Sequence, residues 1–145
     1  MLKGAVVSVN VSASKGERKK PVGIAKMTAK GFEGDAHSGD WHRQVSLLGI
    51  ETIEAFRPRL ATIGPGDFAE NVTTSGIDWH LVKIGDRVAI GTAVVEVTQI
   101  GKECHSSCEI RRQVGDCVMP KEGIFAKVIE PGKVEDGDVV EARTR

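Results

Sequence analysis

The sequence predicts a mainly β domain, a barrel or sandwich of short strands, and two observations carry that expectation. Valine occurs 18 times and isoleucine 11 times, against five leucines. β-Branched side chains fit a pleated, half-buried surface, whereas leucine keeps its rotamer freedom in helices. Six of the eight aspartates directly follow a glycine (Asp35, Asp40, Asp67, Asp86, Asp116 and Asp138), where 17 glycines in 145 residues would give about one such pair by chance. Gly-Asp supplies backbone freedom at positive φ and then a side chain that bonds its own local backbone, which suits tight entries to strands.

The elements follow in order. Residues 2–11 (LKGAVVSVNV) alternate loosely and predict a first strand. Ser12–Pro21 is polar and basic, with Lys15, Glu17, Arg18, Lys19 and Lys20, and reads as a solvated loop. Val22–Met27 predicts a second strand, residues 31–43 (GFEGDAHSGDWHR) a loop, and Val45–Leu48 a short apolar strand. Gly49–Leu60 is the helix candidate: Ile50, Ile53, Phe56 and Leu60 share a face, Glu51 and Glu54 sit near the positive end, and Pro58 should stop it at about Arg57. A Gly-Pro loop at 64–67 leads to a strand over Phe68–Thr74. Leu81–Ile100 carries the strongest strand signal, with Gly85-Asp86, then Arg87–Ile90, a break at Gly91, and Val94, Val95, Val97 and Ile100. Gly137-Asp138-Val139-Val140 repeats the Gly85-Asp86 entry and predicts a last strand.

Length and charge narrow the function. A chain of 145 residues predicts one domain, residues 1–145. Twenty basic and twenty acidic side chains cancel, which disfavours nucleic-acid binding through bulk positive charge. Uninterrupted apolar runs never exceed three residues, so no membrane span or signal segment is expected, and the expected compartment is the cytoplasm.

All three cysteines fall in one segment: Gly101-Lys-Glu-Cys104-His105-Ser-Ser-Cys108, then Cys117. An odd count without framework spacing argues against structural disulfides. A reactive thiol is one reading. Cys104 follows a strong strand, and Lys102, His105, Arg111 and Arg112 are neighbours that would favour thiolate over thiol. A metal site is another, since Cys104, Cys108, Cys117 and His105 offer four zinc-compatible ligands. An iron–sulfur cluster fits neither common ferredoxin spacing. The third reading makes Cys108 and Cys117 small buried hydrophobes, and function then rests on Cys104.

Other polar groups concentrate elsewhere. The loop from Gly34 to Gln44 holds Asp35, His37, His42 and Arg43, and Arg43 beside an apolar strand offers a guanidinium fork suited to phosphate. His37 and His42 could bind metal or simply be solvated. Glu70-Asn71 reads either as a turn held by bonds to backbone or as a hydrogen-bonding edge for a polar heterocycle.

The succession Gly34-Asp-x-His37, Arg43-Gln-Val-Ser-Leu47, Gly66-Asp-Phe-x-Glu70-Asn71, Ile84-Gly-Asp-Arg-Val88-x-Ile90-Gly91 and a valine-rich strand running into Cys104 resembles the MOSC family, domains similar to the C-terminal part of molybdenum-cofactor sulfurases. The likeness spans about Leu2 to Val140 and includes Pro131-Gly-x-Val134-x-x-Gly137-Asp138. It implies a β-barrel-like fold with a few short helices, and an association with molybdenum cofactor (molybdopterin). The family's characteristic cysteine maps onto Cys104, as a persulfide sulfur carrier or a molybdenum ligand. Relatives commonly approach that cysteine through Arg-x-Pro-Cys, whereas this chain reads Gly101-Lys-Glu-Cys104, and Cys108 and Cys117 are additions. The resemblance further implies that a pterin phosphate sits on Arg43 and Arg111, with Asp35, His37, Glu70 and Asn71 lining the opening. Partners would be a cysteine desulfurase, which carries pyridoxal phosphate, or enzymes that make or accept the cofactor. The domain itself would be a monomer or homodimer. Rival readings are a cofactor-dependent reductase of N-hydroxylated compounds, a cofactor- or metal-binding module without turnover, and a zinc-stabilised domain.

Overall fold

The computed structural model describes residues 2–15, 17–55, 57–58, 62–101 and 123–143. Eleven strands are described: β1 (Leu2–Val11), β2 (Lys20–Pro21), β3 (Ile24–Thr28), β4 (Gly31–Phe32), β5 (Val45–Gly49), β6 (Val72–Ser75), β7 (Arg87–Ile90), β8 (Ala93–Ile100), β9 (Ile124–Glu130), β10 (Gly132–Glu135) and β11 (Val139–Arg143). Seven of them close a barrel in the order β1-β11-β7-β8-β9-β5-β6 and back to β1. Closure removes the free edges that an open sheet would expose. β2 extends β1, and β10-β3-β4 form a separate small sheet.

Local chemistry explains the strands. β7 and β8 pair Ile90 with Ala93 across Gly91-Thr92, and Gly91 takes φ +57, the left-handed value such a tight turn needs. β5 and β6 run parallel, so a crossover must join them, and helix α1 (Ile50–Ala55) supplies part of it. All five residues of β5 are buried, as expected of a strand paired on both sides. Val9, Val45, Leu47, Val72, Val88 and Val95 are fully buried in the barrel interior. The β-branched bias thus sits where the barrel is packed.

Several expectations are adjusted. Helix α1 covers Ile50–Ala55 and is followed by a turn with the Arg57 N–H on the Glu54 carbonyl, near the stop expected at Pro58; Phe56, Arg59 and Leu60 lie outside the described residues. Phe68 lies in a turn because Ala69 adopts φ +65, and the strand starts only at Val72. β9 and β10 were not anticipated. The Ser12–Pro21 segment is not simply solvated, because Lys19 is buried at 2% exposure. No helix among the described residues is long and apolar enough to cross a membrane.

Candidate anion-binding site

The Gly34–Gln44 loop leads into β5 and is tied to β8 and β9 at several points. Gln44 donates through Nε2 to the Gly39 carbonyl at 2.8 Å and accepts the Val128 N–H on Oε1 at 2.8 Å. His42 Nε2 lies 2.8 Å from Gln99 Oε1 on β8, and the Thr98 hydroxyl donates to the His42 carbonyl. Within the loop, Trp41 Nε1 donates to the His37 carbonyl at 2.7 Å.

Trp41 is where the site's side chains meet. The Arg43 guanidinium lies 4.7 Å from its ring centroid and the Lys15 ammonium 4.6 Å. The His37 ring is parallel to it within 6°, at 6.2 Å, and His42 approaches edge-on at 6.0 Å. Arg43 is also 5.7 Å from the Phe125 ring, at the start of β9, and its Nε is buried without a hydrogen-bond partner. A cation over an aromatic face is stabilised by the ring quadrupole while its remaining donors stay available.

Beneath this surface lies an ion pair. Lys19 Nζ and Asp35 Oδ1 are 2.8 Å apart with both side chains fully buried. Asp35 also accepts the Ser12 N–H on Oδ1 and the His37 N–H on Oδ2, each at 3.0 Å. Burial alone would raise the Asp35 pKa. The adjacent His37, the hydrogen-bonded Lys19 ammonium and the Ser12 N–H outweigh it and hold the carboxyl well below the usual carboxylate range. The Lys19 backbone is anchored too, its N–H on the Gly66 carbonyl at 2.8 Å. Gly66 has φ +86, and a Cβ there would lie 2.1 Å from the Lys19 carbonyl oxygen, so only glycine fits.

Glu70 and Asn71 are at 0% exposure, inside the barrel wall. Asn71 joins two strands, accepting the Ser46 N–H at 3.0 Å and donating to the Asn10 carbonyl at 3.2 Å. Glu70 Oε2 accepts the Gly66 N–H at 3.0 Å and the Thr73 hydroxyl at 2.6 Å, while Oε1 is buried without a partner. Burial pushes the Glu70 pKa up to about 6, against the pull of its hydrogen bonds.

Of the residues expected from sequence, His37 and Arg43 meet on Trp41, Asp35 lies beneath and accepts the His37 N–H, and Glu70 and Asn71 are buried beside β6. Cys104, His105, Cys108, Arg111 and Cys117 lie outside the described residues. Gly101 and Gly123, the described residues on either side of them, are joined by a 2.7 Å bond from the Gly101 N–H to the Gly123 carbonyl. Among the described residues no group of three or more His, Cys, Asp or Glu could hold a metal ion. Sequence reasoning passed over Lys15, Lys19, Trp41 and Gln99. A tryptophan flanked by His42 and Arg43 in a glycine-rich loop was the available signal.

Comparison with known proteins agrees with this architecture. The YuaD protein from Bacillus subtilis superposes with a TM-score of 0.82 at 19% identity, over 99% of this chain and 97% of that one. YiiM from Escherichia coli gives 0.73 at 23% identity, over 100% of this chain and 71% of its own. YiiM from Geobacillus stearothermophilus also gives 0.73 at 23%, over 98% and 76%. No curated protein sequence matches. The MOSC domain family matches residues 34–141, from the loop that carries Asp35, Trp41 and Arg43 through to the last barrel strand, and the chain belongs to that family.

Proposed function

We propose that this MOSC domain is a sulfur carrier working with molybdenum cofactor, its sulfur borne on Cys104. The supporting observation is the cluster of Lys15, Arg43 and His37 on Trp41, in a loop whose His42 bonds to Gln99, the side chain that also reaches the Gly101 carbonyl. That donor set suits a phosphate beside a flat heterocycle: two cations, an aromatic face, and an Arg43 Nε that is buried without a partner. A pterin cofactor has both parts. Arg43 and Lys15 would hold its phosphate and Trp41 its ring, and the bound group would supply molybdenum–sulfur chemistry. Chain connectivity supports the link to Cys104. At no more than about 3.6 Å per residue, three residues keep it within about 11 Å of Gly101.

The sulfur step balances without an oxidant. The Cys104 thiolate attacks the outer sulfur of a desulfurase's cysteine persulfide, a new S–S bond forms, and the donor's S–S bond breaks to leave its cysteine as thiolate. The pyridoxal phosphate chemistry that makes the donor persulfide belongs to that partner. Cysteine thiolate is soft, so the same atom also suits molybdenum.

Intact-mass measurement on protein treated with a desulfurase and free cysteine tests this. The expected result is an adduct of about 32 Da, one sulfur atom, absent from Cys104→Ala. Its persistent absence from the wild type would overturn the carrier reading. Stoichiometric molybdenum together with turnover of N-hydroxylated compounds would replace it with the reductase.

A further inference from the structure

Lys19 Nζ contacts three groups: Asp35 Oδ1 at 2.8 Å, Ser12 Oγ at 3.2 Å and His37 Nδ1 at 3.0 Å. An ammonium has only donors. A proton on His37 Nδ1 would therefore set two N–H groups head to head at 3.0 Å, so this nitrogen must accept. The competing arrangement, Nδ1–H donating to Asp35, has too long a path. Oδ2 is 3.8 Å from Nδ1 and already takes the His37 backbone N–H at 3.0 Å.

We infer that Lys19 sets the hydrogen-bonding sense of the site: it donates into His37 Nδ1, so that His37 is a neutral imidazole protonated on Nε2 and meets a ligand as a donor and not as a cation. Lys19 is thus a positioning residue, fully buried beneath a His37 side chain that keeps 18% exposure. The charged groups around His37 support the same state. Lys19 and Asp35 pack against it and neutralise each other, and Lys15 and Arg43 lie on the Trp41 ring that it stacks against. A proton added to His37 would face Lys19 directly and two more cations across the ring. Among the described residues, Lys15 and Arg43 then offer a ligand positive charge to which His37 adds none. That consequence for a ligand rests on the proposed anion site; the tautomer does not.

Long-range proton–nitrogen NMR of the labelled full chain, from pH 8 to pH 5, decides the matter, with His37→Gln identifying the signal. The expected spectrum is the neutral Nε2–H pattern across the whole range. In Lys19→Met the Asp35 carboxylate stays while the ammonium is gone, so His37 should titrate at or above about 6.5. A wild-type His37 that titrates near ~6.5, or shows the Nδ1–H pattern, overturns the inference even if the variant does not fold. Titration of the same sample with inorganic phosphate separates the two claims. Absence of phosphate binding with the neutral pattern intact counts against the anion site and leaves the role of Lys19 standing.

Discussion

His42 Nε2 and Gln99 Oε1 meet at 2.8 Å, joining the Trp41 loop to the far end of β8. Gln99 Nε2 donates onward to the Gly101 carbonyl at 2.7 Å, so one side chain links the loop to the root of the cysteine segment. Gln99→Leu removes both bonds at an accessible position. At about 0.5–1.5 kcal/mol per bond the two together contribute about 1–3 kcal/mol, so Tm should fall, and anion affinity measured by calorimetry should drop by about fivefold or more.

Trp41 gives Arg43 and Lys15 a shared aromatic surface. Trp41→Ala should weaken binding of inorganic phosphate and pterin phosphates by about tenfold or more, and Trp41→Phe should fall between it and wild type. Binding unchanged in Trp41→Ala would mean that the aromatic face does not organise the site.

Asp35→Asn takes the carboxylate away from the buried Lys19 ammonium, and urea denaturation should show a loss of about 3–5 kcal/mol. Combining Lys19→Met with Asp35→Leu should cost much less than the two single changes added together, because no lone charge remains. The Asp35 pKa is lowered on folding, so its contribution is fully present above the ordinary value of 3.8 and is lost as pH falls below it. The double variant should be less sensitive to acid in that range.

Glu70 has the opposite dependence. Its folded pKa of about 6 lies above the ordinary 4.5, so the folded state holds the proton more tightly and stability declines as pH rises between those values. Glu70→Gln cannot ionise. The stability of this variant relative to wild type should increase between pH 4.5 and 7 by on the order of 2 kcal/mol, read from urea midpoints.

The barrel was legible because its chemistry is repetitive. The excess of β-branched residues and the Gly-Asp entries marked β1, β7, β8 and β11 directly. β9 was missed because Ile124-Phe125-Ala126 is apolar on consecutive residues, which lacks the alternation of a half-exposed strand. That run makes sense only once β5 and β8 are seen to flank it. Lys19 was missed for a different reason. It sits in a charged run, and its partner Asp35 is 16 residues away, so nothing local distinguishes a buried ammonium from its solvated neighbours. Arg43 and His37 were named from the loop's composition and do meet in the structure, but the ring on which they meet was not named. Glu70 and Asn71 were read both as turn-holding groups and as site lining, and their complete burial in the wall agrees with the first.

The Gly101–Gly123 bond carries the β8–β9 ladder one rung past the Ile100–Ile124 pair, so at this rim the two strands are clasped by main chain alone, and exchanging side chains beside it leaves that clasp in place.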